Sequence, residues 1–175
     1  LRKVTLRAGG RRFVLKNPVN GGRIRQLLEI FPEARFIHMV RNPYNLFPSI
    51  MWVYRTVLPR AQVQRIGQAQ IEDHVLQSSA KLMRKCLDDR ALIPASNLIE
   101  VRFEELERAP LEQVRKVYDS LSLPGLAEAE PALRAYLASI QGYQKNRYRP
   151  NGETIDKVNR HWGFVFDQWG YTQVR

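Results

Sequence analysis

Short apolar runs separated by longer amphipathic stretches predict strands and helices that alternate along the first two thirds of the chain. The run 35–40 has four apolar residues in its last five positions, and this lack of alternation indicates a strand buried on both faces of a parallel sheet. The runs 12–16 and 98–103 predict two further strands. Between 24 and 31, apolar residues three and four apart predict a helix that Pro32 ends. Strand, helix and strand from 12 to 40 would form a βαβ unit with a right-handed crossover.

Helical periodicity dominates the rest of the chain. The predicted helices cover about 44–58, 66–90, 110–121, 131–141 and 154–167, and a turn is predicted at 8–11. We therefore expect an α/β fold in which a short parallel sheet is flanked by helices and the C-terminal half is mostly helical. Residues 1–175 are expected to form a single domain.

Composition adds limits to this expectation. A chain of 175 residues, 44% of them hydrophobic, is long enough for one domain with a core. Its single cysteine, Cys86, excludes an internal disulfide, and no apolar stretch is long enough to span a membrane. The chain begins with Leu1 instead of Met, so we expect an excerpt of a longer protein, and we assign it to the cytoplasm.

The net charge of +11 is concentrated at the two ends of the chain. Residues 1–41 hold ten Lys and Arg against two acids, whereas residues 61–140 hold ten against twelve. A uniformly basic nucleic-acid-binding protein would not usually have an acidic middle. The pattern favours an anionic ligand held from two sides, although a solvated basic face explains most individual charges.

Arg41 and Ser49 are the strongest candidates for that ligand. Arg41 follows the strand 35–40, and Ser49 follows Pro48, which predicts the first turn or a kink of the next helix. A guanidinium, a hydroxyl and helix N–H groups could then bind one phosphate at the C-terminal edge of the sheet. Alternatively, Arg41 pairs with a carboxylate from the C-terminal half and Ser49 has no partner.

Several segments together resemble the bacterial branch of the sulfotransferases that use 3′-phosphoadenosine 5′-phosphosulfate (PAPS). The most specific is the strand–Arg–Asn–Pro–Ser element. The matching segments are 13–18, 31–43 with Ser49, 101–106 with Pro110, 143–148 and 169–171. The resemblance implies a P-loop-NTPase-like three-layer fold, PAPS as the donor, and no metal. It also implies transfer of a sulfuryl group to a hydroxyl or amine of a small-molecule, glycan or lipid acceptor.

The resemblance also implies roles for individual residues. Arg41 and Ser49 would bind the 3′-phosphate, and Lys16 would stabilise negative charge on the leaving phosphate oxygen. In these roles the residues position the donor and stabilise negative charge. Phe103 would pack against the adenine. The loop expected to close over the nucleotide carries Lys145, Arg147, Tyr148 and Arg149.

The chain departs from the family pattern at two places. The glycine- and threonine-containing loop that binds the 5′-phosphosulfate does not occur here, so we expect this excerpt to have little activity by itself. Many relatives carry a histidine as general base shortly after the strand lysine, where this chain has Asn20. An amide cannot accept a proton at neutral pH, so Asn20 would only orient the acceptor and the base stays unassigned.

The histidines suggest no metal chemistry. His38 is expected in the core, His74 at the surface beside Glu72 and Asp73, and no His, Cys and Asp spacing predicts a metal site.

Other functional classes stay open at this point. A non-catalytic nucleotide-binding module is the main alternative. A basic nucleic-acid-binding domain is suggested by charge alone and predicts binding that weakens steeply with salt. A P-loop kinase would need a GxxxxGK signature followed by Ser or Thr, which the chain lacks.

Overall fold

The computed structural model describes residues 6, 7, 9 and 12–174. Of the turn predicted at 8–11, only Gly9 lies among these residues, so that prediction stays open. In chain order, the elements are a 3-10 helix Pro18–Arg23, α1 Ile24–Ile30, β1 Phe36–Val40, α2 Pro43–Thr56, a 3-10 turn Leu58–Arg60, α3 Gln68–Arg90, a 3-10 turn Ala95–Asn97, β2 Leu98–Arg102, α4 Phe103–Arg108, α5 Pro110–Ser120, α6 Leu126–Ser139 and α7 Gly152–Trp169.

The sheet is parallel, as predicted, but its composition differs. β1 and β2 pair in register from Phe36 beside Leu98 to Val40 beside Arg102. The strand predicted at 12–16 is wrong, because these residues are exposed and have no strand structure. A strand needs a hydrogen-bonded neighbour, and within the described residues the sheet contains β1 and β2 alone. The parallel connection therefore runs from β1 through α2 and α3 to β2.

β1 is covered on one face only. Phe36 packs near Ile24 of α1 and Cys86 of α3, and Val40 joins the main core. Ile37 and Met39, which point the other way, are 43% and 44% exposed. The prediction that β1 is buried on both faces is therefore wrong. Helix α5 packs on the sheet at the neighbouring strand, β2.

Helices α2, α3 and α7 enclose the main core. Trp162 of α7 is fully buried, and its Nε1 donates a hydrogen bond to the backbone oxygen of Leu76 at 2.9 Å. Its ring meets Phe47 of α2 edge to face, with ring centroids 5.7 Å apart. The helices predicted at 44–58 and 66–90 are confirmed, and this core fixes where α2 begins relative to β1.

The start of α2 differs from the prediction at Pro48. Asn42 caps the helix by accepting a hydrogen bond from the Tyr44 N–H at 2.9 Å, and Pro43 takes the first helical position. Pro48 lies inside the helix, where it removes the N–H that would bond the carbonyl of Tyr44. Ser49 is therefore in the second turn and not among the free N–H groups of the first.

The later helices are confirmed with shifted bounds. The sequence predicts that α6 begins at Pro131. In the structure it begins five residues earlier, at Leu126. The true start is set by Gly125, whose φ of 87° breaks the chain direction immediately before the helix. A mostly helical C-terminal half is thus confirmed.

Candidate nucleotide site

Arg41 leaves the C-terminal end of β1 and meets Ser49 one and a half turns into α2. The Arg41 Nη1 lies 3.5 Å from the Ser49 Oγ, at the long end of hydrogen-bonding distance, and both residues are half-buried. Because the strand, the Asn42 cap and the helix are consecutive, the spacing of eight residues is enough to bring the two side chains together.

Phe103 lies against the same guanidinium. The Arg41 Cζ is 4.4 Å from the centroid of the Phe103 ring, a cation–π distance. Phe103 opens α4 directly after β2, so sheet pairing places it beside the end of β1. The expected strand 98–103 therefore ends one residue early, and the aromatic ring stands at the sheet edge.

A cavity of about 430 Å³ is lined by Arg41 and Phe103, whereas Ser49 lies behind Arg41 and is not among the lining residues. Asn45, Glu104 and Glu107 line it as well. Its other lining residues belong to one loop: Lys145, Asn146, Arg147, Tyr148 and Arg149. Cations from the two basic parts of the sequence thus line one cavity large enough for a small ligand.

One ion pair ties this loop to the body of the protein. Lys145 contacts the Glu107 carboxylate of α4. This leaves Arg147 and Arg149 as the cavity's loop cations without a carboxylate partner within the described part of the chain. The cavity is therefore suited to an anionic ligand.

Glu104 braces the turn that carries Arg41. Its Oε1 accepts a hydrogen bond from the backbone N–H of Asn42 at 2.9 Å, and its Oε2 accepts one from the Tyr171 hydroxyl at 2.9 Å. Burial, followed by the hydrogen bond to Glu104, raises the pKa of Tyr171, which keeps the hydroxyl protonated as a donor. The carboxylate thus connects the end of β1 to the C-terminal tail.

The tail also holds the first turn of α2. The backbone N–H of Val174 donates to the Tyr44 hydroxyl at 2.8 Å, and Asn159 of α7 accepts from that hydroxyl at 2.5 Å. The Asn159 Nδ2 in turn donates to the Val174 oxygen at 2.8 Å. Sequence reasoning missed this network, since both partners of the Tyr44 hydroxyl are more than 100 residues away and leave no local signal.

Lys16 and Asn20 lie apart from the cavity lining. Lys16 is exposed in an irregular segment, and Asn20 is half-buried in the 3-10 helix. This helix packs closely on α3, because a Cβ at Gly22 would come within 2.8 Å of the Leu82 Cδ1. This packing holds the 3-10 helix in place. The preceding segment, 12–17, is not paired with a strand.

A polar cluster lies under the sheet. The His38 Nδ1 is 3.0 Å from a Glu100 oxygen that also accepts from Trp169 and pairs with Arg90. Burial alone would lower the pKa of His38, but contacts with Cys86 and Glu100 outweigh it and raise the pKa to about 9. His38 is thus hydrogen-bonded, as predicted, but half-buried and outside the core in which it was expected, whereas His74 is exposed, as predicted.

Within the described part of the chain, no group of three His, Cys, Asp or Glu side chains is arranged to hold a metal. In the same residues, every helix is too short or too polar to reach across a bilayer.

Known proteins that are similar to this chain are sulfotransferases. The sulfotransferase family profile matches residues 2–128. The omega-hydroxy-beta-dihydromenaquinone-9 sulfotransferases Stf3 of Mycobacterium bovis and Mycobacterium tuberculosis are each 35% identical over 158 residues, which is 90% of this chain and 41% of theirs. The chain therefore spans less than half the length of these curated relatives.

The fold comparison points the same way. The crystal structure of sulfotransferase STF9 from Mycobacterium avium superimposes with a TM-score of 0.77 at 22% identity, covering 95% of this chain and 44% of that one. The expected α/β fold of the P-loop type is confirmed by this match. With the family profile covering most of its length, the chain belongs to the sulfotransferase family.

Proposed function

We propose that this chain forms the nucleotide-binding part of a sulfotransferase that moves a sulfuryl group from PAPS to a hydroxyl acceptor. One observation carries the proposal. Arg41 contacts both the Ser49 hydroxyl and the Phe103 ring, and it lines a cavity that the cations of the loop 145–149 also line. Such a cavity suits a ligand with a purine and more than one phosphate.

Arg41 and Ser49 would bind the 3′-phosphate. The guanidinium can donate two hydrogen bonds to phosphate oxygens, and the hydroxyl can donate a third. Two charge-assisted contacts of about 1.5–3 kcal/mol each, roughly 3–6 kcal/mol together, correspond to about 10²–10⁴ in affinity. That factor is the expected preference for 3′,5′-phosphoadenosine over AMP.

Phe103 and the cationic loop would complete the nucleotide site. The Phe103 ring offers a flat apolar surface for adenine. The Arg41 guanidinium contacts the same ring. Arg147, Tyr148 and Arg149 of the loop would contact the phosphates.

Lys16 and Asn20 would act at the reacting group. In the transfer, the acceptor oxygen forms a bond to sulfur while the bond from sulfur to the phosphate oxygen breaks, and the electron pair of that bond stays on the phosphate oxygen. Lys16 would stabilise this developing charge, and Asn20 would orient the acceptor by hydrogen bonding. A group other than Asn20 takes the acceptor's proton.

The acceptor we propose is a hydroxyl on an apolar lipid. Support comes from the two relatives at 35% identity, which are named for a hydroxylated menaquinone. The test compares a long-chain primary alcohol with the matched primary amine as acceptors for the full-length protein. Faster transfer to the amine would contradict the choice of hydroxyl. A cytoplasmic setting stays a prediction.

Calorimetry of the full-length protein tests the nucleotide site. Wild type is expected to bind 3′,5′-phosphoadenosine about 10²–10⁴ times more tightly than AMP. Arg41→Ala should remove this preference, while Arg25→Ala, an exposed arginine of α1, should keep it. Equal affinities for the two nucleotides in wild type would refute the assignment.

The non-catalytic module is the second candidate, and one observation favours it. Lys16 is exposed and outside the cavity lining, so the residue proposed for the chemistry does not line the cavity proposed for binding. A module predicts the same nucleotide preference with no sulfuryl transfer by the full-length protein. A nucleic-acid-binding domain predicts instead no preference for the 3′-phosphate and binding that falls steeply with salt.

A further inference from the structure

The segment that joins α2 to α3 presents large apolar side chains to solvent. They lie at the end of α2 and in the loop that follows it. Their exposed fractions range from 43% for Val53 to 102% for Val63. We call the exposed apolar residues, with three neighbouring arginines, the apolar–arginine patch: Trp52, Val53, Val57, Val63, Ile66, Arg55, Arg60 and Arg65.

The patch lies within one stretch of the chain, residues 52–66. Trp52 and Val53 are in the last two turns of α2, and Val57 follows its last residue, four positions after Val53, so that Val53 and Val57 lie on the same side. Beyond Val57, the 3-10 turn Leu58–Arg60 packs on the end of α2. The Arg55 Nε donates to the Gln68 Oε1 at 2.9 Å and so joins the end of α2 to the first residue of α3. The loop between them, including Val63 and Ile66, is therefore held as a projection.

The charge of this element has one sign. No aspartate or glutamate occurs from residue 34 to residue 71, whereas the patch itself contributes three arginines. Arg60 and Arg65 lie in the loop and are exposed. Arginine can bury its carbon chain along an apolar surface and keep its charge at the boundary with water.

Exposed apolar side chains mixed with arginines, and with a tryptophan among them, fit the boundary of an anionic lipid bilayer. The apolar groups would enter the region between headgroups and acyl chains, and the arginines would contact anionic headgroups. A nucleic acid would make no use of a fully exposed valine. An acidic protein surface would leave that side chain with too little apolar contact.

We propose that the apolar–arginine patch docks the protein on the surface of anionic membranes. None of its residues lines the nucleotide cavity, so docking and nucleotide binding can occur together. The proposal stands on the patch alone and goes beyond the proposed function, but a membrane surface is where an apolar lipid acceptor would be found.

Sedimentation of the full-length protein with vesicles tests the proposal. One set contains phosphatidylcholine with a quarter phosphatidylglycerol, and the other contains phosphatidylcholine alone. Saturating 3′,5′-phosphoadenosine keeps the nucleotide site occupied, so that its cations do not bind lipid. Wild type should bind the anionic vesicles, and each arginine near the surface should contribute about five-fold in affinity.

Two variants with matched controls sharpen the test. Val63→Asp should reduce binding at least about ten-fold, because a side chain that enters the bilayer is replaced by an anion. Since Val63 is fully exposed, its loss cannot unfold the protein. The control is Ile140→Asp, an exposed apolar residue just past α6. Arg60→Ala with Arg65→Ala should weaken binding roughly 30-fold, and Arg25→Ala with Arg160→Ala should not.

Each outcome bears on the proposal. Loss of binding in both patch variants with retention in both controls supports it. Equal binding to neutral vesicles, no binding by wild type, or unchanged binding by the patch variants overturns it. A dimer of the wild-type protein that Val63→Asp dissociates would also overturn it, because the patch would then face a second copy. All of these outcomes leave the calorimetric preference for the 3′-phosphate unaffected, so the two proposals fail separately.

Discussion

The end of β1 and the segment that carries Lys16 are the two cationic regions expected to handle the nucleotide, and they differ in how they are held. The Arg41 turn is held by sheet pairing, by the Asn42 cap, by the Glu104 carboxylate and by the C-terminal tail. Lys16 lies exposed in an irregular segment. The side chains proposed to bind the 3′-phosphate are therefore held in place by several contacts, whereas the residue proposed to act at the reacting group lies in a segment without such contacts.

The largest expected effect separates these two regions. Lys16→Ala in the full-length protein should lower kcat about 10²–10³-fold, because it removes a charge from the leaving phosphate oxygen in the transition state. Affinity for 3′,5′-phosphoadenosine should fall far less, by at most about five-fold, because its 5′-phosphate loses contact with a lysine whose charge is screened by solvent. Release of 3′,5′-phosphoadenosine gives the rate, and calorimetry gives the affinity.

Arg12→Ala is the matched control, because Arg12 is an exposed cation of the same segment. It should leave both measurements unchanged. An Lys16→Ala variant that turns over normally would place the chemistry elsewhere.

A smaller effect is expected where the Arg41 turn is braced. In Glu104→Gln, an amide NH₂ replaces one of the two carboxylate oxygens. Either the Asn42 N–H or the Tyr171 hydroxyl would then lose its hydrogen-bond acceptor. Losing one such bond to a charged group costs about 1–2 kcal/mol, so nucleotide affinity should fall roughly 5–30-fold. Calorimetry measures the change.

The neighbouring Glu105→Gln should bind the nucleotide like wild type. If Glu104→Gln does the same, the turn is held by sheet pairing and the Asn42 cap alone, and the comparison between the two regions loses one of its four supports.

The cluster beneath β1 predicts a dependence on pH. The pKa of His38 is raised to about 9 from 6.5, so its pairing with Glu100 stabilises the fold fully below about pH 6.5 and is lost as the pH rises through about 9. Contacts led by the hydrogen bond to His38 lower the pKa of Glu100 from 4.5, so the Glu100 contribution is present above about pH 4.5 and is lost as the pH falls. The pair should therefore stabilise the fold most between about pH 4.5 and about pH 6.5.

Denaturant unfolding of His38→Gln at several pH values measures this contribution. The free energy of unfolding should fall by about 1–3 kcal/mol relative to wild type near pH 6, and the difference should shrink towards pH 9. His74→Gln, at an exposed position, should show no such pH dependence. A difference that is constant with pH would mean that His38 contributes packing and not charge.

The smallest effect is expected at the loop. The pair between Lys145 and Glu107 is about half-exposed on the lysine side, and such pairs contribute about 0–1 kcal/mol. Lys145→Ala should therefore change nucleotide affinity by less than about five-fold and reduce its dependence on salt. Lys116→Ala, which removes the exposed pair with Glu112 on α5, is the control. A loss as large as that of Arg41→Ala would make Lys145 a direct phosphate ligand.

Local patterns predicted β1, β2 and the long helices because each depends on neighbouring residues. The placement of Arg41 beside Ser49 was accessible for the same reason, since strand, cap and helix are consecutive. The strand at 12–16 was mispredicted because an apolar run shows that a segment can pair, not that a partner strand is present. Pro48 was predicted to mark the first turn or a kink of α2, and the first-turn alternative is wrong because Asn42 and Pro43 begin the helix earlier.

The parts of the site that were not predictable join distant positions. Glu104 and Tyr171 are 67 residues apart, and Tyr44 and Val174 are 130 apart. Each residue is ordinary in its own segment, and only the packed fold brings a carboxylate, a phenol and a backbone N–H to one turn.

The bond between Val174 and Tyr44 has a thermodynamic consequence for the C-terminal helix. This bond couples local opening of the tail to local opening of the Arg41 turn, and such coupling is reciprocal. A nucleotide that stabilises the turn against opening would therefore also stabilise the tail. Amides near the end of α7 should exchange with deuterium more slowly in the presence of 3′,5′-phosphoadenosine. A protease that cuts near Tyr171 should likewise be slowed by a ligand that never touches the cleavage point.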